Sequence, residues 1–237
     1  MRRFCFFDKI DSMDSDNFAA RIEAHTHYIA AFLGGFLGIF PIVNAVHFLG
    51  SAQTSNLIDI VLGAFRGDWK GVALHALGAV LYCFAIFLVT FLSKHIKFNI
   101  KIIAVLVDST CAFVMWRFPI NKNFPLTVYL YPTFFTMAFQ WCAFKGAYGF
   151  TSSTIFSSNN LRQFIASLTE IFCNGDRTFV LKAKFFGMTL LAFHLGVLTS
   201  VILWKHFANA GFLFALLPCG IVVIMEIKSS RRLRRCL

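Results

Sequence analysis

Two polar pentapeptides, Gln53-Thr54-Ser55-Asn56-Leu57 and Ser157-Ser158-Asn159-Asn160-Leu161, interrupt an otherwise apolar chain in matching places. Each follows an apolar span and opens a short amphipathic stretch. A Gly-Asp pair comes next (Gly67-Asp68, Gly175-Asp176), then a long apolar run. An unpaired backbone or amide group in lipid costs several kcal/mol, so such breaks need protein partners or a wet cavity. Paired interrupted segments in the two halves of a membrane protein point to a binding site at their junction.

Composition sets the frame for this reading. Of 237 residues, 58% are hydrophobic and 14% charged, with a mean hydropathy of +0.70. A soluble domain carries about 25% charged residues, so the chain reads as an integral membrane protein. The apolar runs are long and continuous, which argues against the roughly ten-residue alternating strands of a β-barrel. The net charge of +11 does not imply nucleic acid. The basic residues lie in the gaps between apolar runs rather than on one stripe, as the positive-inside rule expects.

Spans of about 20 residues can be marked at 28–49, 70–92, 102–116, 126–144, 185–204 and 207–225. Weaker stretches lie at 57–65 and 151–172. The expected fold is an all-α integral membrane protein with six full transmembrane helices plus two short broken helices (six to eight spans) in two pseudo-symmetric repeats. Residues 1–27 form a cytoplasmic N-terminal segment, with a short lead-in helix from Asn17 capped by Asp16. Residues 28–227 form one transmembrane domain, with repeat 1 at about 28–116 and repeat 2 at about 126–227. Residues 228–237 are a basic cytoplasmic tail. With six spans, 17 Lys and Arg fall on the side of the termini and 5 on the other. Eight spans give nearly the same bias, so both topologies place both termini in the cytoplasm. Pro41, Pro132 and Pro218 are expected to kink their spans.

At the breaks the sequence resembles the YoaK-like family of bacterial inner-membrane proteins, the group of domain of unknown function 1275. Gly34-Gly35-Phe36-Leu37-Gly38 leads to Ala52-Gln53-Thr54-Ser55-Asn56, similar to a first signature of Gly-Gly-aromatic-Leu-Asp and Ala-Gln-Thr-Gly-Asn. Gln140, Phe144, Lys145, Gly149, Thr154 and Ser158-Asn159-Asn160-Leu161-Arg162 resemble a second. Gly67-Asp68-Trp69 fits the family's Gly-Asp-Trp. The resemblance covers about residues 28–227 and implies a bacterial inner-membrane, multi-pass protein. It implies no substrate. Here Gly38 replaces the family's acidic residue, and Ser55 and Asn159 replace its motif glycines. If those glycines supply a positive φ, Asn159 is a fair substitute and Ser55 a poorer one.

The candidate binding residues are Gln53, Thr54, Ser55, Asn56, Asp59, Gln140, Ser158, Asn159, Asn160 and Arg162. Ser, Thr and Asn at a helix start read either as N-caps or as the walls of a polar site, where free N–H groups and the dipole favour negative charge. Arg162 in a first turn opposes that dipole and calls for an acidic partner, with Asp59 the repeat-related choice. Asp108, mid-span, is a proton- or ion-coupling candidate or a packing carboxyl. His47, His75 and His194 read as interhelical histidines. No metal spacing, catalytic motif or cofactor loop occurs, and seven scattered cysteines form no framework. The expected partners are the bilayer, anionic headgroups at the tail (Lys228, Arg231, Arg232, Arg234, Arg235) and a small polar or anionic solute. The leading function is a small-solute transporter or permease with a central polar site. A non-transporting scaffold and an intramembrane enzyme are the alternatives.

Overall fold

The computed structural model describes residues 4–118 and 125–236, with side chains over 18–118 and 125–230. The long helices are α1 (Phe4–Gly38), α4 (Trp69–His95), α5 (Ile100–Arg117), α6 (Tyr131–Ala143), α8 (Val180–Phe207) and α9 (Leu216–Cys236). Between them lie a four-residue α2 (Phe40–Val43) and two amphipathic helices, α3 (Gln53–Arg66) and α7 (Ser158–Phe172). A two-residue hairpin of β1 (Gly146–Ala147) and β2 (Phe150–Thr151) is the exception to an all-α chain among the described residues. Among the described residues three stretches are long and apolar enough to cross a membrane: Phe18–Val43, Trp69–His95 and Arg177–Ser230, the last containing α8 and most of α9. The chain is therefore membrane-embedded and helical.

The first of these stretches is 72% buried and α4 only 22%. So α1 is the central helix and α4 presents its apolar surface outward. Glycine explains how α1 is enclosed. A Cβ on Gly35 would overlap the Phe193 carbonyl oxygen of α8, and a Cβ on Gly196 would overlap that of Phe32 on α1. Small residues let membrane helices approach to backbone contact, where packing is strongest.

The contacts fix helix directions. His27 lies tilted against Phe185, ring centroids 5.3 Å apart, while Gly35 meets Phe193, so α1 and α8 run parallel. Tyr131 Oη donates to the Leu74 carbonyl and Phe134 lies against Gly78 and Tyr82, so α6 and α4 also run parallel. Asn99, just before α5, donates to Glu226 midway along α9, while Asp108 and Ser109 further along α5 lie beside Cys219 near the start of α9, so those two run antiparallel. α3 packs on α4, and α7 packs on α8.

Several boundaries differ from the sequence reading. α1 is continuous through Asp16 and Asn17, so Asp16 begins no helix; the junction carries nothing that breaks helical phase. The three prolines do not kink mid-span. Pro41 and Pro132 sit in the first two positions of α2 and α6, and Pro218 is the third residue of α9. There the missing N–H has no intrahelical partner to lose. The weak stretch from Thr151 holds a loop before α7, because Tyr148 (φ 54°) and Gly149 (φ 77°) make a tight turn of positive φ that folds the hairpin back.

Candidate functional site

The Gly-Asp pairs close both short helices alike. Gly67 and Gly175 take positive φ (73° and 71°) at the turns, a conformation glycine adopts without Cβ strain. Asp68 accepts from Gly71 N–H at 2.9 Å, and Asp176 accepts from Thr178 N–H at 2.9 Å. The Asp176 carboxyl lies below the usual carboxylate range because the Thr178 hydroxyl, and then its N–H, donate to the charged form.

At the opposite ends of α3 and α7 the polar motifs turn inward. Asn56 is fully buried; its Nδ2 donates to the His75 carbonyl at 2.9 Å, and its Oδ1 lies 2.8 Å from His75 Nδ1. Asn160 is also buried. Its Oδ1 accepts from Ser152 Oγ at 2.9 Å, and its Nδ2 donates to the carbonyls of Ser153 (2.7 Å) and Phe156 (3.2 Å). Each amide is thus bonded at both ends within its own half of the chain. Neither acts as a helix cap: α3 is preceded by Ala52 and α7 by Ser157, and neither N-cap side chain accepts a bond. Ser55 and Asn159 lie inside helices, so the positions that are glycine in the resembling signature need no positive φ here.

The two breaks touch at a different point. Ser51 Oγ donates across 104 residues to the Ile155 carbonyl at 3.0 Å. Beside this link, Gln140 Nε2 donates to Thr154 Oγ1 (2.9 Å) and to the Ala30 carbonyl (2.6 Å). Gly34 makes room: a Cβ there would overlap the Thr154 carbonyl oxygen. The Gly38 carbonyl accepts from Gly50 N–H at 2.8 Å, tying the end of α1 to the first break. Three buried polar atoms on these segments have no partner: Gln53 Oε1, Gln140 Oε1 and Ser157 Oγ. A buried orphan of this kind costs about 1–3 kcal/mol.

Other sequence candidates lie elsewhere. Thr54, Ser158 and Asn159 are exposed, and Ser55 is half-buried. Arg162 is exposed and donates to Asn159 Oδ1 one turn back at 3.1 Å. The expected ion pair with Asp59 is not formed. Among the described residues the ion pairs join Lys101 to Glu23 and Glu226. Arg162 and Asp59 lie on the two short helices, which pack against different long helices. Asp108 is completely buried in α5 with both carboxyl oxygens unpartnered. Its electrostatic neighbours are Cys111 and Cys219. Of the three span histidines only His75 is interhelical; His194 bonds its own helix, and His47 is exposed.

Sequence reasoning missed Ser51, Thr154 and Ser157 as site members. Thr154 was in view only through the family spacing. Ser157 directly precedes α7 and Ser51 lies two residues before α3, and their nearness to the two helix starts was a usable signal.

A family model described as "Protein of unknown function (DUF1275)" matches residues 26–225. No curated protein and no solved structure matches the chain. The match spans most of the sequence, and the chain belongs to the DUF1275 family.

Proposed function

We propose that this chain is a small-solute transporter or permease of six spans, built from two inverted repeats. The reading pairs α1 with α6, α3 with α7, α4 with α8 and α5 with α9. Helix directions support it: α1 runs parallel to α8 as α6 does to α4, and α5 opposes α9. Then α3 (about 21 Å) and α7 (about 22 Å at 1.5 Å per residue) are re-entrant helices too short to cross. One dips from each face, and both termini lie on the side rich in Lys and Arg. By the positive-inside rule that side is the cytoplasm, in keeping with a bacterial inner-membrane protein.

A single observation carries the transport reading. Where Ser51 of one break bonds Ile155 of the other, the segments carry the orphan atoms Gln53 Oε1, Gln140 Oε1 and Ser157 Oγ. Two are amide carbonyl oxygens, which accept and cannot donate. The guest they suit is a small polar solute rich in N–H or O–H donors. An anion is less suited, because Arg162 is exposed on α7. Asp108, buried and unpaired, is the group placed to couple a proton or cation.

A second reading, a non-transporting scaffold, draws on the complete bonding of Asn56 and Asn160, which locks helices together without a guest. Cysteine labelling separates the two. In a background with every native cysteine replaced by serine, Gln53→Cys and Ser157→Cys are reacted with a membrane-impermeant methanethiosulfonate in sealed vesicles. Modification of both is expected for a hydrated pathway. Protection of both, with an exposed Thr54→Cys control reacting, means a dry knot and the scaffold.

A further inference from the structure

At the end of the bundle where α4 meets α5, a cavity of about 540 Å³ opens between the α4–α5 turn and the last turns of α9. Ile96, Phe98, Ile102 and Ile227 form its apolar wall, and Lys97 and Ser230 add polar groups. The apolar wall is not sealed: Phe98 is 56% exposed and Ile96 44%. The site lies beside the Glu23–Lys101–Glu226 ion pairs, at the level where the helices leave the apolar region.

The charges around the cavity are unequal. Glu226 is buried, accepts from Asn99 Nδ2 at 2.7 Å and pairs with Lys101 at 3.7 Å. Glu23 is taken by the same lysine at 3.2 Å. Lys101 bridges both carboxylates and offsets one of their two charges, and both carboxylates line the neighbouring hollow rather than this one, whose lining carries Lys97 as its charged side chain. Lys97, which lines the cavity, and Lys94 and Lys228, which do not, are exposed and, among the described residues, make no ion pair. A positive, partly apolar hollow at the edge of a bilayer suits an amphiphile whose head is an anion and whose tail continues into lipid. The volume lies in the range of small-molecule sites, about 300–1,000 Å³. Basic side chains near an anionic membrane surface each contribute about 1 kcal/mol.

We propose that this cavity is a specific site for an anionic phospholipid, with the phosphate beside Lys97 and Ser230 and an acyl chain along Phe98, Ile102 and Ile227. It differs from loose attraction of the basic tail, because the Asn99–Glu226–Lys101 bonds shape a fixed hollow. It requires membrane embedding but not the polar centre, so the two proposals stand or fall separately.

The test uses the full chain in neutral detergent. Phosphatidylglycerol, phosphatidylcholine or inorganic phosphate is added, and bound lipid is counted by native mass spectrometry alongside a thermal denaturation curve. Retention of phosphatidylglycerol at least tenfold above phosphatidylcholine, with a raised melting temperature, is expected. Lys97→Gln with Ser230→Ala should remove the preference while the lipid-free melting temperature stays the same. Replacing Arg231, Arg232, Arg234 and Arg235 by Gln should leave it in place. Equal retention of the two lipids, a preference that follows the four tail arginines, or stabilisation reproduced by inorganic phosphate alone would each overturn the proposal.

Discussion

Asn56 and Asn160 occupy matching sequence motifs but hold the fold in different ways. Asn56 clasps His75 on the helix that follows, through two bonds to a single residue. Asn160 reaches back into the loop that precedes it, with bonds to Ser152, Ser153 and Phe156. The first break is a helix-to-helix clamp and the second a loop organiser. One motif can therefore serve opposite directions along the chain, because an amide carries a donor end and an acceptor end and is indifferent to which side supplies the partners. The consequences for stability differ, since a clamp can be lost while its helices stay packed, whereas a loop without its organiser leaves several backbone groups stranded.

The largest expected effect lies where the halves cross. Gly34→Ala would push a methyl into the Thr154 carbonyl, which is backbone held by the loop that Asn160 organises. Overpacking against backbone costs about 3 kcal/mol or more. We expect little folded protein after detergent extraction, read by monodispersity on size exclusion. Gly38→Ala is the control: its added methyl would meet only Met137 Sδ, at an ordinary 3.8 Å, and should be tolerated. Equal behaviour of the two would remove the crossing as the keystone.

Asn160→Ala comes next. It strands the Ser153 and Phe156 carbonyls and the Ser152 hydroxyl, for a loss of about 3 kcal/mol at 1–3 kcal/mol per buried orphan, discounted for local relaxation. Asn56→Ala should cost less, about 1–2 kcal/mol, because the groups it frees belong to one residue, the half-buried His75. Denaturant titration in micelles measures both. A larger loss at Asn56 would reverse the comparison drawn between clamp and organiser.

How much of this was legible beforehand depends on the range of the interaction. The breaks, the Gly-Asp turns and the helical membrane class could be read from composition and local pattern, since they express hydrophobicity and backbone conformation within a few residues. The partners of the two asparagines could not. The His75 carbonyl and the Ser152 hydroxyl are as common in sequence as any other, and only tertiary packing chooses them. The same applies to Arg162. Its place in a first turn suggested an acidic partner, but the side chain lies on the exposed face of α7 and donates to Asn159 one turn away. Ser51 and Ile155 are 104 residues apart, and no local pattern announces a bond between a hydroxyl and a main-chain carbonyl.

The smallest effect separates the two Gly-Asp turns, which look alike but differ in one bond. Asp176 accepts from both the hydroxyl and the N–H of Thr178, whereas Asp68 accepts from the Gly71 N–H. The Thr178 bonds hold the Asp176 carboxyl below its ordinary value. A depressed folded-state value means the turn contributes stability above the unfolded-state pKa, and that contribution fades as pH falls through the folded value. Thr178→Val should therefore flatten the acid limb of the stability curve below about pH 4 and leave neutral pH nearly unchanged. Asp176 is fully exposed, so the change will be slight. An equal change on Thr178→Ser, which keeps the hydroxyl donor, would mean that the acid limb reports turn geometry rather than the hydroxyl bond. A flattened limb in Thr178→Val alone would assign the difference between the two turns to a single side-chain oxygen.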